Sequence, residues 1–191
     1  MIRVDPIVTA VFLLTAFTLA GIAQTAWFAS PMSRAFAIPL DGGRHLRGRR
    51  VFGANKTVRG FVVMVPATAA AFVLLAAASG GAAQLWLWPI PLGTYAVLGA
   101  WAGFGFMAGE LPNSFLKRQL DVEPGAAPAG WPGLVHFVLD RVDSGVGMLA
   151  ALSMVVDVPW ITWACVLLIG PFIHWSFSFV MFRLGLKGRA A

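Results

Sequence analysis

Thirteen of the fourteen Lys and Arg residues fall into three intervals, Arg34–Arg59, Lys117–Arg141 and Arg183–Arg189, set apart by long apolar stretches. The stretches between 79 and 91 and between 157 and 159 contain no cation at all. About 20 consecutive apolar residues can cross a bilayer as a helix, because a helix bonds every backbone N–H and C=O internally. Four such spans are evident: Ile7–Phe28, Gly60–Ala78, Leu92–Ala108 and Val158–Phe182. A fifth needs more care. Ser144–Val156 is apolar but short, and extending it back to Leu134 brings His136, Asp140, Arg141 and Asp143 to the membrane. The sequence therefore predicts an all-α integral membrane protein with about five transmembrane helices in a single domain, 1–191. A basic loop at 29–59 and a second loop at 109–133 face the cytoplasm. Alternation of the cations places the N-terminus outside and the C-terminus inside.

Composition agrees with that reading. Hydrophobic residues make up 59% of the chain and charged residues 12%, about half the usual share in a soluble domain. The first span is longer than a leader's apolar core, and Asp5 precedes it, so it reads as a retained helix. A net charge of +6 would suggest nucleic acid in a soluble protein. Here the cations sit beside membrane spans, and no nucleic-acid partner is expected. The single cysteine, Cys165, lies in an apolar run, which excludes an intrachain disulfide and argues against thiol chemistry. The segment "LWLWPIP" before the third span has the look of an interfacial tryptophan belt.

The first loop contains "GRRVFGANKTVRGF", Gly48–Phe61. Seven cations there could simply fix topology or hold anionic lipid heads. The pattern goes further. Gly53 permits positive φ and close backbone approach. Asn55 and Thr57 can donate hydrogen bonds, and Thr57 can cap the second helix. A helix N-terminus at that point aims N–H groups at an anion. Lys56 adds a point charge and Arg59 a fork suited to two phosphate oxygens. Gly53, Asn55, Lys56, Thr57 and Arg59 are therefore expected to bind a phosphorylated substrate.

Ionisable groups at membrane depth mark function by default. His136, Asp140, Asp143 and Gly147 share one helical stripe, with Ser144 beside it. Two carboxylates a turn apart repel unless a cation or proton intervenes, and hard oxygen ligands suit Mg²⁺ shared with phosphates. Asp140 and Asp143 are thus expected metal ligands; a buried Asp–Arg pair holding helices together is the alternative. In "GELPNSFLKRQL", if the chain is helical after Pro112, Asn113 neighbours Lys117 and Ser114 neighbours Arg118, and Glu110 lies one turn before Ser114. That stripe suits a phosphate ester, or is an ordinary juxtamembrane basic stop. His174 in the last span reads as an interhelical donor or as part of a proton relay.

Three blocks resemble the CDP-archaeol synthases, membrane enzymes that transfer a cytidylyl group from CTP to a lipid phosphate. They are "PLDGGRHLRGRRVFGANKTVRGF", "GELPNSFLKRQLDVEPG" and "LDRVDSGVG". The last two also resemble the wider CDP-diacylglycerol synthase signature, as Ser114, Lys117, Arg118, then Asp140, Arg141, Asp143. Glu123 and Pro124 stand where that superfamily has Lys-Asp, and His136 stands one residue closer to the Asp-Arg pair than its His-Gly-Gly. The resemblance implies a five-span enzyme that uses CTP, Mg²⁺ and a lipid phosphate, of ether or phosphatidic acid type, and releases pyrophosphate. It implies catalytic roles for Ser114, Lys117, Arg118, Asp140 and Asp143, an inner or plasma membrane location, and allows a homodimer. The rivals are a non-catalytic lipid-binding protein, which needs the loop cations but not the paired Asp, and a small proton-coupled transporter using Asp140, Asp143 and His174.

Overall fold

The structure, a computed structural model, describes residues 4–81, 85–122 and 131–185, with side chains in the last segment from 138 onward. Among the described residues five long helices follow in order: α1 (Pro6–Ala29), α2 (Val58–Ala78), α3 (Leu92–Gln119), α4 (Trp131–Ser153) and α5 (Trp160–Arg183). α1, α2, α3 and α5 are long and apolar enough to cross a membrane, and α4 is the charged fifth. The expected all-α architecture of about five helices is the one observed. α3 packs along both α2 and α4, and α1 against α2 and α5.

The third helix runs further than expected. It continues through Pro112 to Gln119, so "GELPNSFLKRQ" is helix and not the start of a loop. Proline costs one backbone bond there, a loss that neighbouring helices make tolerable in membranes. Residues 131–133, also expected in the second loop, already belong to α4.

Lipid chains are as apolar as leucine, so helices in a bilayer associate through close packing of small residues. At the α3–α4 seam a Cβ on Gly109 would come within 2.8 Å of the Gly147 Cα and 2.5 Å of the Asp143 carbonyl. Neither position accepts a side chain. This contact sets how deeply Asp143 sits beside α3. At the opposite end of the bundle, Phe12, Phe72, Trp88 and Tyr95 interlock, with Phe12–Phe72 centroids 4.9 Å apart in edge-to-face contact. Trp88 donates to the Asp157 carbonyl at 2.8 Å and is buried. It is a core residue and not a member of an interfacial belt, whereas Trp86 is exposed.

The loop from 30 to 57 is folded, not trailing. A 3₁₀ turn, Pro31–Phe36, leads to a two-stranded hairpin, β1 (His45–Leu46) and β2 (Arg49–Arg50). Arg47 and Gly48 both have positive φ, 53° and 79°, as a two-residue hairpin turn requires. Ile38 and Leu40 bond to Val58 and Lys56, which lays the loop over the entry to α2. Asp41, 5% exposed, organises it by accepting from the N–H groups of Gly43, Phe52 and Gly53 at 3.0, 3.2 and 3.0 Å and from Arg50. Burial alone would raise this carboxyl, but the Arg50 guanidinium and the three N–H groups hold it well below the usual carboxylate range.

Loop 30–57, the C-terminal end of α3 and the start of α4 share one end of the bundle: Arg49 pairs with Asp121, and Lys56 with Glu110. The N-terminus of α1, the α2–α3 connection and the α4–α5 connection share the other, through Asp5 N–H to Trp86 and Thr162 to Pro6, both 2.9 Å.

Two outcomes test this account. Gly147→Ala should lower stability in detergent by about 1–3 kcal/mol, while Gly93→Ala, with open space around it, should leave it unchanged. Equal melting temperatures for the two variants would refute the seam. Asp41→Asn removes one partner of a buried pair, a loss of about 3 kcal/mol, and should speed tryptic cleavage in the loop at neutral pH roughly 100-fold. Because the folded carboxyl is depressed, this stabilisation is present above about pH 4 and fades as pH falls below it.

Candidate functional site

One continuous network joins the basic loop to α3 and α4. Lys56, from the loop, forms an ion pair with Glu110 on α3. The other Glu110 oxygen accepts from the Ser144 hydroxyl on α4 at 2.9 Å. The Ser144 backbone N–H donates to Asp143 Oδ1 at 2.7 Å. Asp143 Oδ2 accepts from Asn113 Nδ2 at 2.8 Å, and the same nitrogen donates to Asp140 Oδ1 at 2.7 Å. Lys117 closes the series with an ion pair to Asp140. Helical spacing explains the arrangement: Glu110, Asn113 and Lys117 recur at three and four residues along α3, and Asp143 and Ser144 follow Asp140 by three and four along α4. The close glycine seam lets the two stripes meet.

Lys56 feels burial, which would pull its ammonium down, but Glu110 beside it, with Asp143 and Asp140 further off, holds it above the ordinary lysine range. It is a firmly charged group in the working pH range.

The paired carboxylates fit a hard cation. Both accept from one amide nitrogen, so their oxygens lie close together. A half-turn of the Asn113 amide exchanges its NH₂ for its carbonyl oxygen, which would add a third hard donor. Among the described residues no cluster of three or more His, Cys, Asp or Glu side chains forms. Two carboxylates with the remaining positions left to water and phosphate oxygens is the usual Mg²⁺ arrangement.

Of the residues expected to act, the network gathers Lys56, Lys117, Asp140 and Asp143. Ser114 is buried on α3, one turn beyond Glu110. Arg118 packs beside Gly53: a Cβ there would lie 3.4 Å from the Arg118 Cδ, and Gly53 holds φ of 94°. The N–H of Gly53 is already bonded to Asp41, so this glycine works by admitting Arg118 and not by offering a donor. Thr57 occupies the N-cap position of α2 without a side-chain capping bond. The first N–H of α2, on Val58, goes to the Ile38 carbonyl at 2.9 Å, which leaves that helix entry less open to an anion than the sequence implied. Asp121 pairs with Arg49 at the surface. Glu123 and the side chain of His136 lie outside the described residues.

A cavity of about 260 Å³ adjoins the network, among all five helices. Lys56, Glu110 and Ser144 form its wall toward the carboxylates, together with Asn55 and Thr57. Arg59 also lines it, its guanidinium 4.4 Å above the Phe28 ring. The lining is polar near the loop and apolar further in, at Leu13, Leu14, Phe17, Met64 and Met148. Sequence reasoning placed Glu110, Asn113 and Ser144 beside the right stripes without seeing that they connect them. A carboxylate at membrane depth in an otherwise apolar helix was the available signal for Glu110.

Comparison with known proteins places the chain in a family. The CarS-like family model, CDP-archaeol synthase, matches residues 7–190. A CDP-archaeol synthase of Halorubrum lacusprofundi is 37% identical over 158 residues, covering 78% of this chain and 81% of the relative. One from Thermococcus onnurineus is 31% identical over 163 residues, covering 83% and 86%. A solved structure described as an intramembrane enzyme for archaeal membrane lipids biosynthesis superposes with a TM-score of 0.63 at 28% identity, covering 92% of this chain and 96% of its own. The chain belongs to the CDP-archaeol synthase family.

Proposed function

We propose that this multi-pass membrane protein is a CTP-dependent cytidylyltransferase that converts a lipid phosphate to a CDP-lipid. The single observation that carries the reading is the network running from Lys56 to Lys117, which sets phosphate-binding cations and paired carboxylates side by side within a chain of this family. The lipid phosphate oxygen attacks the α-phosphorus of CTP. A new P–O bond forms, the bond to the bridging oxygen of the β-phosphate breaks, and pyrophosphate departs with the electron pair. A phosphate dianion is itself a nucleophile, so no strong base is required. Catalysis then rests on orientation and on charge matched to the transition state.

Asp140 and Asp143 are the residues that would hold Mg²⁺, with Asn113 beside them, and the ion when bound supplies positive charge for the nucleotide's phosphate oxygens. Lys56 and Asn55 would steady the triphosphate from the loop side. Lys117 pairs with Asp140 and orients it, and stands ready to take a phosphate oxygen. Arg118 supports the loop side of the same surface through its contact with Gly53. We also propose that this end of the bundle faces the cytoplasm. Every described Lys and Arg lies toward it, as the distribution of positive charge across membranes favours. The lipid is of ether or ester type, because an apolar groove distinguishes the two weakly.

Release of pyrophosphate from labelled CTP by purified protein, with Mg²⁺ and a panel of ether and ester lipid phosphates, tests the reading, with ATP, GTP and UTP as controls. Turnover should vanish with a chelator. Asp143→Asn should reduce kcat by roughly 100-fold or more while the protein stays folded in the membrane fraction; near-normal activity would remove the metal assignment. Lys56→Ala should raise KM for CTP by about tenfold, and an unchanged KM would remove that lysine from the nucleotide site.

A further inference from the structure

Three cations of the first loop belong neither to the network nor to the cavity lining. Arg34, Arg44 and Arg47 are exposed, and none of them forms an ion pair among the described residues. The single carboxylate between 30 and 59 is Asp41, which is buried and paired with Arg50. The outer face of the loop therefore carries positive charge with nothing acidic beside it. The same segment exposes large apolar side chains: Met32 is 70% exposed and Ile38 58%, and Phe36 and Leu46 are exposed as well. Cations mixed with exposed apolar residues are the composition of segments that lie in the interface of a bilayer.

The fold fixes the depth of this face. α1 and α2 are both long and apolar enough to cross the membrane, and the loop joins their ends. Phe36 folds back on Trp27 in the last turn of α1, with ring centroids 5.7 Å apart, and the 3₁₀ turn packs against both helices. The Ile38 carbonyl accepts from Val58 at 2.9 Å, and the Leu40 N–H donates to the Lys56 carbonyl at 2.8 Å. Residues 31–40 are thus tied to the ends of two spanning helices and cannot stand off in water. Helix ends lie at headgroup level, where long cationic side chains keep their charge wet and their stems in apolar surroundings.

We propose that this face docks on the headgroup layer of the protein's own bilayer and selects anionic lipids. Met32, Phe36 and Ile38 seat among the upper acyl chains, and Arg34, Arg44 and Arg47 take the phosphates. A zwitterionic head brings its own cation to its phosphate, whereas an anionic head leaves the phosphate for arginine. Each cation near an anionic surface strengthens the attraction about fivefold, and salt weakens it over a screening length of about 8 Å at physiological ionic strength. The lipids so bound are surface lipids, distinct from the one that reacts, and their binding does not depend on the reaction. Because 38–40 pairs with 56–58, the docked segment and the one carrying Lys56 form a single unit, steadied from outside by the charge of the bilayer.

The test uses the full chain in phosphatidylcholine liposomes containing phosphatidylglycerol. Trace lipids with a nitroxide on the acyl chain report, by electron paramagnetic resonance, how strongly each headgroup associates with the protein. Phosphatidylglycerol should be preferred over phosphatidylcholine by about three- to tenfold at low salt, and the preference should shrink in high salt. In the triple variant Arg34→Gln/Arg44→Gln/Arg47→Gln it should fall at least about threefold, with an unchanged melting temperature in detergent certifying the fold. The single variants, each losing part of the preference, carry the comparison should the triple variant melt early. Equal preference in parent and variants would overturn the proposal. So would its abolition by CTP added at constant ionic strength, which would give these cations to the nucleotide. A second readout is depth: a nitroxide on Met32→Cys, in a Cys165→Ala chain, should be relaxed more by oxygen than by a water-soluble nickel chelate. The reverse order would put the turn in water and sink the docking. Neither readout needs turnover, so failure of the cytidylyltransferase reading would show in pyrophosphate release alone.

Discussion

A carboxylate placed inside a helix bundle in lipid must find a cation, and Glu110 finds Lys56. Most of the functional geometry follows from that one pairing. It pulls the loop down onto α3, so that Asn55 and Thr57 are brought to the wall of the cavity. It also leaves the second Glu110 oxygen for Ser144, and Ser144 in turn fixes Asp143. Removing one partner would leave an uncompensated charge in a poor solvent, a large loss compared with the modest net value of the pair itself. The pair therefore specifies an arrangement more than it contributes stability.

Holding charges so close requires rigid neighbours on every side. The glycine seam between α3 and α4 gives one, because two backbones in contact cannot drift by a side chain's width. The Asp41 knot gives another: three N–H groups and an arginine converge on one buried carboxylate and turn a glycine-rich segment into a defined lobe. Catalysis by placement and charge needs such stiffness, since preorganised groups spend nothing on reorientation at the moment of reaction.

The helices were legible in the sequence because a bilayer imposes length and hydropathy on each crossing segment. The Asp140–Asp143 stripe was legible for a similar reason: helical spacing is local, and membrane charges are conspicuous. The extension of α3 was legible only in part: helical spacing after Pro112 set Asn113 beside Lys117, but the segment from Gly109 onward was assigned to a loop, because the partners that accommodate Glu110 and Pro112 within a helix were not known. Those partners lie far along the chain. Glu110 answers to Lys56 and Ser144, and Asn113 to Asp140 and Asp143. Gly53 was read as a point of close backbone approach to a ligand, yet its N–H is taken by Asp41, a carboxylate whose importance depends on a fold that no local pattern announces. Comparison with the family then supplied what geometry alone leaves open, the kind of group transferred.

The interlocked rings of Phe12, Phe72, Trp88 and Tyr95 close the bundle at the end away from the charged network. None of these rings lines the cavity, so the stiffest end of the bundle and the end that carries the charges are different ends, and a substitution in one reaches the other only through the helices between them.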